Sequence, residues 1–120
     1  MQAPVPSASP SDAAALVDAS GRRISYLRLS LTDRCNFRCS YCAPQGPDVS
    51  ADPLGRAELA RLVAVFARLG VRRVRLTGGE PTLRRDLLDV VRDVRATPGI
   101  EEVALTTNGH LLGTLAAPLR

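Results

Sequence analysis

The chain has 120 residues, 45% of them apolar, and a net charge of +4, which is enough for one domain with a hydrophobic core. Its 16 basic residues are all arginines, spread without runs or interleaved aromatics, so we expect anionic ligands and no nucleic-acid partner. No segment approaches the ~20 apolar residues that span a membrane, and the N-terminus lacks a secretory signal pattern. These features predict a cytoplasmic protein with no membrane partner.

Residues 1–20 are rich in Pro, Ser and Ala and predict a disordered tail, whereas residues 21–120 predict the folded domain. Apolar and polar residues alternate over residues 26–31, which is the period-two pattern of a strand. An irregular stretch follows over residues 32–54 and carries the cysteines. A long loop of this kind in a compact domain is usually functional or disordered.

The rest of the chain alternates helical and strand periodicity. The predicted elements are a helix over residues 56–70 closed by Gly70, a strand over 71–77, a helix over 84–96 ended by Pro98 and Gly99, a strand over 101–107, and an amphipathic piece over 111–119. The β-α-β-α-β-α order predicts an α/β fold with a parallel sheet and right-handed crossovers. Since three strands cannot close a barrel, we expect a partial (βα) barrel, truncated after three βα units.

The only cysteines are Cys35, Cys39 and Cys42, spaced C-x3-C-x2-C. Thiolates are the usual protein ligands of iron–sulfur clusters. Three of them on a [4Fe–4S] cluster leave one iron open for a small molecule, as a catalytic metal site requires. Two alternatives stay open: a structural zinc site completed by His110, the only histidine, and a redox pair of Cys39 and Cys42 that leaves Cys35 idle.

The segment "CNFRCSYC" resembles the signature of radical S-adenosylmethionine enzymes, and "LTGGEP" follows a predicted strand as the superfamily's glycine-rich motif does. Together with "SYLRLSLTDRCNFRCSYC", "RLTGGEPTLRRDL" and "LTTNG", these motifs most resemble the N-terminal part of the GTP 3′,8-cyclase family of molybdenum-cofactor biosynthesis. The resemblance implies a radical S-adenosylmethionine barrel. It also implies a [4Fe–4S] cluster on the three cysteines, S-adenosylmethionine as cofactor and GTP as substrate.

The resemblance implies specific site residues. Tyr41 and Gly79 would bind S-adenosylmethionine, whereas Arg28, Arg75 and Thr106 would bind GTP, and no side chain is required as a general acid or base.

The strand alternation independently predicts that Arg28, Arg73, Arg75 and Thr106 point into the barrel lumen. A solvated strand end is the alternative for Arg73 or Arg75. Buried arginines need partners, and guanidinium suits phosphate. Glu80 is assigned either a structural role in its loop or a catalytic one.

The resemblance further implies an electron donor, cyclic pyranopterin monophosphate synthase as the downstream enzyme, and a possible homodimer of the full-length protein. The family's C-terminal half, with a second cysteine trio, has no counterpart in this sequence, so we expect the isolated chain not to cyclise GTP. Two rival functions stay open. One is another radical S-adenosylmethionine enzyme such as a peptide-modifying maturase, and the other is a non-catalytic iron–sulfur electron carrier or metal-binding module.

Overall fold

The computed structural model describes residues 15–41 and 53–120. They form a three-stranded parallel sheet in the order β1-β2-β3, with helices against one of its faces. The elements are β1 (Tyr26–Ser30), α1 (Arg56–Arg68), β2 (Arg73–Thr77), a 3₁₀ helix (Pro81–Leu83), α2 (Leu87–Ala96), β3 (Glu102–Leu105) and the single-turn helix α3 (Leu112–Leu115). The α/β class, the parallel pairing and the predicted order of elements are confirmed.

The sheet has two chemically different faces because side chains alternate along each strand. The apolar set, which includes Leu29, Val74 and Leu76, packs with buried residues of α1 and α2. Leu76 is 0% exposed and Val74 1%, so the middle strand forms the floor of the core. The other set is polar except for one alanine and makes up the face that we call the open face: Tyr26, Arg28, Ser30, Arg73, Arg75, Thr77, Glu102, Ala104 and Thr106.

Glycines flank helix α1 on both sides, Gly55 before it and Gly70 after it. The Gly55 amide donates to the Glu58 carboxylate at 2.8 Å, which satisfies one of the free donors at the helix start. Gly70 has φ +102°, the left-handed conformation that glycine adopts without strain and that commonly follows a helix. The predicted helix end at Gly70 is therefore confirmed.

The described N-terminal segment includes residues 15–20, which the sequence assigned to the tail. The Asp18 carboxylate accepts hydrogen bonds from the Ser20 and Arg22 amides at 2.8 and 2.9 Å, and these bonds close a turn. The Leu16 amide donates to the Leu69 carbonyl at 3.0 Å, which attaches this turn to the end of α1. Residues 15–20 thus pack onto the domain, and the tail prediction now concerns residues 1–14, which lie outside the described residues.

The C-terminal end of the chain contains little helix. The predicted amphipathic piece at the C-terminal end forms only the four-residue helix α3, continued by a Leu119 to Leu115 backbone hydrogen bond of 3.0 Å. Within the described residues, no helix has the length and apolar character needed to cross a membrane.

Candidate active site

The predicted site residues converge at the carboxyl ends of the three strands. Because the strands are parallel, the segments that follow β1, β2 and β3 emerge at the same edge of the sheet. The first of them carries Cys35 and Cys39, the second Gly79 and Glu80, and the third Thr106. Ligands of α/β folds bind at this edge.

Residues 31–41, which follow β1 and carry Cys35 and Cys39, are called the cysteine loop, and the glycine pair after β2 packs directly on it. The Gly79 amide donates to the Thr32 carbonyl at 2.8 Å, and the Glu80 amide donates to the Arg34 carbonyl at 2.7 Å. A Cβ at Gly79 would lie 2.3 Å from the Arg34 carbonyl oxygen. The close approach that glycine permits here is therefore between two loops of the protein. Since the Gly79 amide is engaged, its carbonyl is the group left for S-adenosylmethionine, and this binding role stays a prediction.

We expect Gly79→Ala to destabilise the chain by about 1–3 kcal/mol, because overpacking against a fixed backbone forces the loop to move. Urea denaturation at neutral pH measures the loss. Gly113→Ala is the matched control, since a Cβ at Gly113 meets no atom within 4 Å. Equal stability of the Gly79→Ala variant and the control would contradict the packing role.

Glu80 is 1% exposed, and its carboxylate accepts four hydrogen bonds. Oε1 accepts from the Thr82 amide, the Thr82 hydroxyl and the Thr107 hydroxyl, and Oε2 accepts from the Asn108 amide at 2.6 Å. Burial alone would raise the pKa of Glu80, but these donors outweigh it and lower the pKa below its ordinary value. The carboxylate therefore joins the loops after β2 and β3, which favours the structural role over the catalytic one.

A second charged group anchors the cysteine loop from the side of α2. The Arg84 side chain is 9% exposed, forms a two-pronged ion pair with Asp86, and donates to the Leu31 carbonyl at 3.0 Å. The hydrogen bonds from Arg84 lower the pKa of Asp86 despite its partial burial. The start of the cysteine loop is thus held by a guanidinium that the sequence pattern did not single out.

Cys35 is exposed, Cys39 is half-buried, and neither forms a disulfide. The Phe37 amide donates to the Cys35 sulfur at 3.4 Å. Two free thiols that are exposed or half-buried fit the donor set of an iron–sulfur cluster. Cys42, the third predicted ligand, lies outside the described residues.

The zinc alternative requires His110 as the fourth ligand. His110 instead packs its ring edge-on against Phe37, with ring centroids 5.9 Å apart. Over residues 15–41 and 53–120, no group of three or more His, Cys, Asp or Glu side chains is placed to hold a metal ion. Nothing in this part of the chain groups His110 with the thiols.

Arg28 and Arg75 are direct partners in the β1–β2 register and share the open face. The Arg75 guanidinium donates from Nε to the Tyr26 hydroxyl at 2.6 Å and from Nη1 to the Thr106 hydroxyl at 3.2 Å. Tyr26 and Thr106 thereby fix the direction of Arg75. The contact between Tyr26 and Arg75 was not predicted from the sequence, although strand alternation places Tyr26 two residues before Arg28 on the same face.

The charge on the open face is unbalanced at the middle of β1 and β2, where Arg28 pairs with Arg75. Like charges directly opposite each other destabilise a sheet, and Ala104 is the β3 partner of Arg75. Glu102 pairs instead with Arg73 at the amino end of β2. The Arg28–Arg75 pair therefore suits an anion between the two guanidinium groups.

Tyr41, predicted to bind the cofactor, is 89% exposed at the end of the first described range.

Comparisons with known proteins agree with the motifs. The model of the radical SAM superfamily matches residues 29–120. The chain belongs to the radical S-adenosylmethionine superfamily. Members of this superfamily use a [4Fe–4S] cluster and S-adenosylmethionine, so the predicted superfamily and its cofactors are confirmed. The crystal structure of BtrN in complex with AdoMet and 2-DOIA shares the fold, with a TM-score of 0.56 and 23% identity over 78% of this chain and 42% of that one.

Curated relatives carry a more specific name. The chain is 58% identical over 99 residues to GTP 3′,8-cyclase of Stenotrophomonas maltophilia (strain R551-3) and 53% identical over 110 residues to that of Synechococcus elongatus. It is 47% identical over 109 residues to molybdenum cofactor biosynthesis protein 1 of Drosophila melanogaster. These matches cover 81%, 88% and 88% of this chain but only 30%, 33% and 19% of the relatives. The chain thus corresponds to a minor part of each relative.

Proposed function

We propose that this chain forms the cluster-binding part, and some of the substrate-binding part, of a GTP 3′,8-cyclase. The enzyme would convert GTP to (8S)-3′,8-cyclo-7,8-dihydroguanosine 5′-triphosphate. The observation that carries the proposal is the Arg28–Arg75 pair on the open face, with Arg75 oriented by Thr106. A peptide substrate would not call for two guanidinium groups side by side, whereas the phosphates and base of GTP supply acceptors for both. The identity to named cyclases supports the same assignment.

One set of residues would bind the cluster and the cofactor, and a second set would bind GTP. Cys35 and Cys39, with Cys42, would hold the [4Fe–4S] cluster, and the Gly79 carbonyl and Tyr41 would contact S-adenosylmethionine. When bound, the cluster and S-adenosylmethionine would supply the one-electron radical chemistry that joins C3′ of the GTP ribose to C8 of the guanine. The protein's own part is to bind GTP through Arg28, Arg75 and Thr106 and to exclude water.

The proposal includes partners that follow from the family resemblance. GTP is the substrate, a one-electron donor reduces the cluster, and cyclic pyranopterin monophosphate synthase acts on the product. The enzyme would be cytoplasmic, since cysteines clustered on one loop suit a reducing compartment, and it would form a homodimer.

A chimera tests the function directly. The 99 aligned residues of this chain replace the matching segment of the Stenotrophomonas maltophilia cyclase, to which they are 58% identical. With reconstituted cluster, dithionite, S-adenosylmethionine and GTP under anaerobic conditions, we expect the cyclised nucleotide by mass spectrometry. A folded, cluster-loaded chimera that cleaves S-adenosylmethionine without cyclising GTP would contradict the proposal and favour another radical enzyme.

In that chimera, we expect Arg28→Ala and Arg75→Ala each to weaken GTP binding roughly tenfold to a hundredfold, because each removes charge-assisted hydrogen bonds worth about 1.5–3 kcal/mol. The dissociation constant is measured by calorimetry under anaerobic conditions. Iron content and cofactor cleavage without GTP should be unchanged. Arg61→Ala, an exposed arginine of α1, is the control. GTP affinity equal to that of the control in both variants would contradict the role of this face.

A further inference from the structure

Side chains tie the cysteine loop to the loop that follows β3. Asn108 donates from Nδ2 to Oδ1 of Asn36 at 2.8 Å, and Asn36 lies between Cys35 and Cys39 in the sequence. The Phe37–His110 ring contact joins the same two loops. We call the Asn36–Asn108 hydrogen bond the loop link. It connects the cluster-binding segment to the turn that begins two residues after Thr106.

Asn108 is itself held on two sides. Its amide donates to the buried Glu80 carboxylate at 2.6 Å, and its side-chain Oδ1 accepts from the His110 amide at 3.0 Å. Of the side-chain polar atoms, Nδ2 remains, and it donates to Asn36. Because both the backbone and the side-chain oxygen of Asn108 are engaged, the position of Nδ2 is fixed relative to β3. The loop link therefore holds the cysteine loop at a fixed position relative to β3.

We propose that Asn108 is a positioning residue that, through Asn36, sets the distance and orientation of the Cys35–Cys39 segment relative to the open face. Radical transfer between cofactor and substrate requires such a fixed separation, since a misplacement of about 1 Å can cost about a hundredfold in rate. The loop link is the side-chain hydrogen bond that joins these two regions among the described residues. The proposal rests on the superfamily membership and does not depend on GTP being the substrate.

Three variants separate the loop link from its neighbours. Asn36→Ala removes the acceptor, and Asn108→Ala removes both the donor and the oxygen that His110 needs. Asn108→Ser keeps a side-chain oxygen for the turn, because serine hydroxyls form the same local bond, but is too short to reach Asn36. Thr114→Ala, which removes a hydrogen bond to the Leu111 carbonyl in α3, is the control.

The first test uses the 120-residue chain without metal, under reducing conditions. Trypsin cleaves after the exposed Arg38 in the cysteine loop, and cleavage after the distant, exposed Arg22 in the same digest is the internal reference. We expect cleavage after Arg38 to be about fivefold faster in all three variants, because one neutral hydrogen bond contributes about this factor to loop closure. The Asn36→Ala/Asn108→Ser double variant should show no further increase.

Three outcomes of this digest would overturn the proposal. The first is a rate of cleavage after Arg38 that is equal in the variants and the wild type. The second is a rate in the double variant that combines the full effects of both single changes. The third is a wild-type rate in Asn108→Ser. The last would assign the effect to the turn at His110.

The second test reads the position of the cluster. The chain is reconstituted with iron and sulfide, reduced with dithionite, and examined by electron paramagnetic resonance before and after S-adenosylmethionine is added. We expect the iron content of Asn36→Ala and Asn108→Ser to equal that of the wild type. In these two variants, we expect the signal after addition of S-adenosylmethionine to contain several components, or to show no change from the signal without it.

A signal identical to that of the wild type would overturn the proposal. Loss of iron in Asn108→Ser would also overturn it, because the residue would then be needed for cluster assembly and not for position.

Discussion

Replacement of any one of Cys35, Cys39 and Cys42 by alanine is expected to reduce the iron content of the reconstituted chain from about four atoms to near zero. The chain has no spare cysteine that could substitute for the missing ligand. Cys35 and Cys39 are free and accessible on one loop, and the superfamily match begins just before this loop, at residue 29. Iron and acid-labile sulfide analysis after anaerobic reconstitution, together with the visible absorption spectrum, measures the effect.

Two further variants make the cysteine result specific. Ser40→Ala changes a residue between two of the ligands without removing a thiol, so its iron content should match that of the wild type. His110→Ala tests the zinc alternative, and cluster assembly should survive it because His110 contacts the Phe37 ring. Tight binding of a single zinc ion that requires His110 would defeat the cluster assignment.

Strands and helices were predictable because each carries a periodic apolar pattern that matches its burial. In β2, Val74 and Leu76 alternate with Arg73 and Arg75, and the apolar pair is the most buried part of the sheet. The same alternation placed Arg75 on the face away from the helices. The direct pairing of Arg28 with Arg75 could not be read from periodicity, because the register between strands is set by tertiary contacts.

The contacts between the loops at the carboxyl ends of the strands were not predictable from the sequence. Glu80 was left between two roles, since its partners Thr107 and Asn108 lie 27 and 28 residues away along the chain. Which loop meets which depends on strand order and register, and neither is encoded locally. The turn around Asp18 was missed for a different reason: a short segment of small and polar residues has no periodicity, although Asp18, Ser20 and Gly21 are residue types that turns favour.

Replacement of Glu80 by glutamine is expected to destabilise the chain by about 1–3 kcal/mol at pH 7, because it leaves a buried donor without an acceptor. Oε1 of the glutamine can still accept from Thr82 and Thr107. Its amide nitrogen then faces the Asn108 amide, which now donates at 2.6 Å to a carboxylate oxygen. Flipping the side-chain amide would instead place the nitrogen against the Thr82 amide, which is also a donor. Neither orientation satisfies all the donors, so the isosteric change is not conservative. Urea denaturation measures the loss.

The difference in stability between wild type and Glu80→Gln should depend on pH in a defined direction. The pKa of Glu80 is lowered in the folded chain from its ordinary value of 4.5. The unfolded chain therefore binds the proton first, and the contribution of the ionised carboxylate is complete above pH 4.5 and lost as the pH falls through the folded pKa. The pKa values of Asp18, Asp86 and Asp93 are also lowered. Wild-type stability will thus fall in acid for several reasons, and only the difference between the two proteins isolates Glu80.

Glu101→Gln is the matched control, because Glu101 is exposed in the turn before β3. It should leave stability at pH 7 within about 0.5 kcal/mol of the wild type, as surface changes usually do. For Glu80→Gln, the penalty should be constant from pH 7 to pH 5 and shrink below pH 4.5 as the wild-type carboxylate takes up its proton. A penalty that stays constant down to pH 3, or grows in acid, would show that the carboxylate is not held ionised by the loop donors. The buried charge would then not be what joins the loops after β2 and β3.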